Sequence, residues 1–205
     1  MTQNIAARRA AKAQRRKAIV AQKRKTEIEA NSTAGQVRLA SAAPIQHCLL
    51  SEGVFGTGMG ILVLTRGATP YDVTMATFLL DTFGLGVKDV YLRMLGGREL
   101  SDHIDQISFV TPMAPVEPAY ARKLLHDLTA WARSQGFGPH RDYAKIESLF
   151  GAVDAAACDT EFEFGDGGKP LLIERVSETF LDSIEYSDDD TIEGEVSEAG
   201  LLDAD

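Results

Sequence analysis

Gly60-Ile61-Leu62-Val63-Leu64-Thr65-Arg66, then Gly67-Ala68-Thr69-Pro70, then Asp72-Val73-Thr74-Met75-Ala76-Thr77-Phe78-Leu79-Leu80-Asp81 is the stretch that decides the fold. Two β-rich apolar runs separated by a Gly/Pro turn signal read as neighbouring antiparallel strands. In the second run both alternating sets, Val73/Met75/Thr77/Leu79 and Thr74/Ala76/Phe78/Leu80, are largely apolar. That strand is therefore expected at the centre of a sheet covered on both faces. Outward from this pair, Ile45–Leu50 supplies a short strand before it, and Val87–Leu95 another after the turn Gly84-Leu85-Gly86. In the last of these, Val90, Leu92 and Met94 face one way while Asp89 and Arg93 face the other, which suits a half-exposed strand.

Helical spacing begins after the meander. Arg98 to Ile107 predicts a short helix with Leu100, Ile104 and Ile107 on one side, stopped by the breaker-rich Thr111-Pro112-Met113-Ala114-Pro115. Pro118 suits the first turn of a longer helix, in which Leu124, Leu125, Leu128, Trp131 and Ala132 form a stripe closed by Gly136. A shorter helix is expected over about His140 to Phe150. The strictly alternating Glu161-Phe162-Glu163-Phe164, the turn Gly165-Asp166-Gly167-Gly168 and the return Leu171-Leu172-Ile173 predict a hairpin. The expected fold class is α+β: an antiparallel meander of about four strands plus a C-terminal hairpin, packed on two to three helices, with disordered termini. Its domain covers residues 44–173, between a basic arm and linker (1–43) and an acidic tail (174–205).

The net charge of −9 over 205 residues conceals this division. Residues 1–40 carry about +8, residues 41–173 about −6, and residues 174–205 about −11. The arm has no acid before Glu27 and places Arg8, Arg9, Lys12, Arg15, Arg16, Lys17, Lys23, Arg24 and Lys25 among alanines. Its residues favour helix but offer little apolar surface to bury, so a fluctuating helix or coil is expected. No run reaches the roughly 18–20 apolar residues of a membrane span, and the arm lacks the apolar stretch of a secretory signal. Two isolated cysteines, Cys48 and Cys158, make neither a disulfide framework nor a zinc site. A cytoplasmic location without membrane partners is expected.

The candidates for chemistry are few. The glycine-rich Gly53 to Gly60 stretch leads into a strand rather than a phosphate-binding helix. Ser101-Asp102-His103 has the residue types of a hydrolase triad, but neighbours on a helix diverge by about 100°. Asp81, at a strand end beside Gly84-Leu85-Gly86, together with Lys88 and Asp89, has the position of a general base or ligand site, although Asp also forms turns. His47 and His140 are the histidines that could join it. No metal-spaced histidine pair is present, so no metal and no cofactor is expected.

Four strings resemble a bacterial family of no assigned activity that joins a basic N-terminal extension to a compact α+β domain. They are Pro44–Leu49, Phe78–Asp89, Gly136–Asp142 and Phe162–Pro170. The resemblance implies that His47, Asp81, Lys88, Asp89, His140 and Asp142 are motif positions, and it does not extend to the acidic tail. The function expected from the residues is non-enzymatic: a nucleic-acid- or ribosome-associated protein whose arm, residues 1–35, contacts phosphate backbone and so RNA. The alternatives are a hydrolase built on Asp81, Asp89 and His47, and a protein-interaction module whose acidic tail occupies the arm.

Overall fold

The structure, a computed structural model, describes residues 12, 14–25 and 32–171, all within the compact unit Met1–Ile173. The acidic tail, Arg8, Arg9 and the terminal disorder expected from the sequence lie outside the described residues. Residues 14–25 are helical (α1). Helix α2 (Thr33–Ala40) starts at Ser32, whose hydroxyl accepts the Gly35 N–H.

The central sequence folds as its alternation dictates. Strands β1 (Ile45–Ser51), β2 (Met59–Thr69), β3 (Asp72–Asp81) and β4 (Gly86–Leu95) form an antiparallel meander. A fifth strand, β5 (Met113–Pro115), adds to the outer edge of β1, giving the order β4-β3-β2-β1-β5. A four-residue helix, α3 (Val54–Thr57), links β1 to β2. Gly86 opens β4 at φ 77°, and a Cβ there would stand 2.6 Å from the Ala132 methyl, so only glycine permits this approach of β4 to the long helix α5 (Pro118–Ser134).

Residues opposite one another in the ladder share a face. One face carries Cys48, Leu50, Leu62, Leu64, Ala76, Phe78, Leu80 and Val90, all in the main core cluster. Onto it α5 packs the stripe Leu124, Leu125, Leu128 and Ala132, joined by Ile146 of α6 (Tyr143–Glu147) and by Leu149 and Phe150 of the 3-10 turn that follows. Each fully buried leucine contributes about 1.5–3 kcal/mol relative to exposure. The opposite face carries Ile61, Val63, Met75 and Leu79, also buried. Helix α4 (Gly97–Val110) contacts β3 and buries Leu100, His103 and Ile107. Thus β3 is covered on both sides, as its two apolar sets require.

Three details differ from the sequence reading. Of the hairpin expected over 161–173, the described residues show one isolated bridge, Asp166 with Lys169, and Leu172 and Ile173 lie outside them. Its aromatic alternation serves packing instead: Phe162 and Phe164 meet Phe55, Tyr120 and Trp131, while Gly165 and Leu171 donate N–H bonds to Thr82 and Phe83. The fifth strand comes from the proline-flanked segment read as a breaker, because its three residues need only one paired edge. In α4 the inward position is His103, whereas Ile104 is only partly covered.

Candidate functional site

Asp81 ends β3 and turns the chain. Its Oδ1 accepts the N–H groups of Phe83 at 3.1 Å and Gly84 at 2.8 Å, and the residue is 7% exposed. Both bonds are local and both fall on Oδ1, so that oxygen shapes the turn. His47 projects from β1, exposed, opposite Thr65, whose hydroxyl accepts the His47 N–H. Thr65 faces Met75, six residues before Asp81 on the same strand, so His47 and Asp81 sit about 20 Å apart along the sheet. A hydrolase site uniting His47 with Asp81 and Asp89 is not assembled, because the ladder register places them at opposite ends.

One pair does meet. The loop between α5 and α6 folds over the free edge of β4, where the His140 N–H donates to the Val87 carbonyl at 3.1 Å. That places His140 Nε2 3.6 Å from Asp89 Oδ1, within ion-pair range and beyond hydrogen-bond reach. Asp89 Oδ2 accepts the Tyr91 hydroxyl at 2.8 Å and Oδ1 accepts the Val90 N–H at 2.7 Å. The Asp142 N–H points at His140 Nδ1 across 3.3 Å, which leaves the ring proton on Nε2, toward Asp89. Asp142 in turn is hydrogen-bonded by Lys145, which holds its carboxyl below the usual range. Each polar atom of the Asp89 carboxylate thus has a donor, and the cluster fastens the loop to the sheet edge. Lys88, beside it on β4, is half-buried.

Cys48, on β1 beside His47, is buried. Burial pushes the Cys48 thiol up to about 12, with the nearby Glu117 carboxylate adding to the shift, so it stays protonated at neutral pH. Among the described residues no three His, Cys, Asp or Glu side chains are placed to hold a metal ion. No helix of the described residues is long and apolar enough to cross a membrane.

The arm residues that are described have the opposite character. Lys12 and the whole of α1 are exposed, and α1 places Arg15, Arg16, Lys17, Lys23, Arg24 and Lys25 in twelve positions without one acid. At 100° per residue these cations fall all round the helix, and Ile19 and Val20, 60% and 53% exposed, lie on separate bearings. There is no apolar face for a lipid surface or a partner helix to cover.

Sequence reasoning found these charges and Asp89 with His140, but not their contact, which joins residues 51 positions apart with no local signal. It also passed over Arg66, which reads as the ordinary polar end of an apolar strand yet is buried. Compared with protein-family models, with curated proteins and with solved structures, the chain gives no match.

Proposed function

We propose that the protein is a non-enzymatic, cytosolic binder of nucleic-acid phosphate backbone, free or on the ribosome, acting through its basic N-terminal segment. The observation that carries this reading is the exposed, acid-free helix α1 with cations on every side. A helix of that kind suits a polyanion that surrounds it with phosphates, where each contact releases a counterion and adds affinity that falls with salt. Contacts to phosphate position the protein without reading sequence, so binding is expected to tolerate any base order. The placement of His47 at the far end of the sheet from Asp81 and Asp89 further favours binding over hydrolysis.

Filter binding of the full chain to a short RNA of arbitrary sequence at low salt tests the reading. Retention is expected, together with its loss on deletion of residues 1–35. Equal retention by the truncated chain would refute it.

A further inference from the structure

Arg66 closes the apolar run of β2 at the end of the sheet far from Asp89 and His140. It is a charged side chain only 7% exposed. Its Nη1 donates to the Ala43 carbonyl at 2.5 Å and its Nη2 to the Phe150 carbonyl at 2.6 Å, tying the approach to β1 to the turn after α6. Carbonyls supply hydrogen bonds but not a counter-charge. Among the described residues no carboxylate lies within ion-pair distance of Arg66, and its Nε–H is buried without an acceptor. Buried cations are ordinarily paired, and a buried donor ordinarily has a partner. Desolvation accordingly pulls the guanidinium pKa below its usual value. It nonetheless remains charged at neutral pH.

The same residue lines a cavity of about 370 Å³ between α2 and the ends of β2, β3 and β4. That volume lies within the roughly 300–1,000 Å³ of small-molecule sites. Leu39 and Met94, 66% and 55% exposed, form apolar walls. Gln36 and the buried Thr74 add an amide and a hydroxyl to the lining, and the exposed Asp72 contributes a carboxylate.

We propose that this cavity binds a small organic monocarboxylate with a short apolar body, its carboxylate on the Arg66 guanidinium and its apolar part along Leu39 and Met94. A carboxylate supplies the absent counter-charge, and Nη1 and Nη2 each keep a second N–H beyond their carbonyl bonds to donate to it. A dianion is disfavoured, because one cation cannot balance it and Asp72 repels its second charge. The apolar walls favour an aliphatic body over a bare inorganic anion.

The test is an NMR titration of the arginine Nε–Hε signals of the full chain with sodium butyrate, against butyramide, succinate and sodium chloride at matched ionic strength. One signal, absent from Arg66→Lys, is expected to move saturably with butyrate and to ignore butyramide and chloride, with succinate binding at least tenfold more weakly. Met94→Trp, which crowds the cavity from a surface position, should weaken butyrate at least tenfold without changing the melting temperature. This second variant carries the test if Arg66→Lys does not fold. The proposal fails if no arginine signal responds to butyrate, if chloride or butyramide moves the same signal equally, if succinate binds as well, or if Met94→Trp binds butyrate unchanged.

Discussion

Helices α1 and α5 are both rich in Lys and Arg, but they use their charges in opposite ways. In α5 two of the three cations, Arg122 and Lys123, are paired within the fold. Arg122 Nε meets Glu147 at 2.7 Å and its Nη1 reaches the Gly151 and Val153 carbonyls, while Lys123 pairs with Asp127 and lies 5.2 Å from the centre of the Phe162 ring. The opposite side of α5 is a leucine stripe in the core. In α1 there is no acid along the helix and no segregated apolar side. Charge placed against internal acceptors holds a fold together, whereas charge set around an exposed helix presents a positive surface to solvent.

The contrast can be broken at several points, the largest effects coming from α5. Leu128→Ala, at a fully buried position, should lower unfolding free energy by about 2–5 kcal/mol in a denaturant titration. An effect below about 1 kcal/mol would mean that α5 is not the core helix. Glu147→Ala removes the acceptor shared by Arg122 and by His126 Nε2 at 2.9 Å. A loss of about 1–3 kcal/mol is expected by the same method. Asp81→Ala strips two backbone donors at the β3–β4 turn and should cost about 1 kcal/mol. Exchanging Arg15 and Arg16 of α1 for Gln should move stability by no more than about 0.5 kcal/mol, while weakening RNA retention.

Alkaline pH probes the packed core by another route. Burial pushes the Tyr143 hydroxyl up to about 12, as it does the Cys48 thiol. Both groups fold in their neutral forms, so their contribution is complete below their unfolded pKa values, near about 10 for tyrosine and 8.5 for cysteine. It is lost as pH climbs toward 12. Thermal melts should therefore fall on the alkaline side, and Tyr143→Phe should flatten part of that fall. An unchanged alkaline limb in the variant would show that Tyr143 is not the group responsible.

What could be read from sequence alone follows from how local each signal is. The stripe Leu124, Leu125, Leu128 and Ala132 and the doubly apolar β3 were legible because burial imprints a period on neighbouring residues. The short β5 was not, because three residues, the last of them Pro115, carry no period. Phe162 and Phe164 alternate like a strand, yet what fixes them is the aromatic company of Phe55, Tyr120 and Trp131 brought from elsewhere in the chain. The same limit holds for chemistry. Asp81 was legible as a turn former or a base, and only its two backbone donors decide for the turn. The meeting of His140 with Asp89, and the burial of Arg66 without a carboxylate, exist only once the sheet and its covering helices have formed.

The salt dependence of RNA binding measures directly whether the α1 cations sit on phosphates. If the six of them engage a single strand, the logarithm of the association constant should fall with that of salt at a slope of about −4. Replacing all six by Gln should make the slope shallower by about 4, with Arg8, Arg9 and Lys12 left in place. A slope near zero for the full chain, or one unchanged by the six substitutions, would contradict the account.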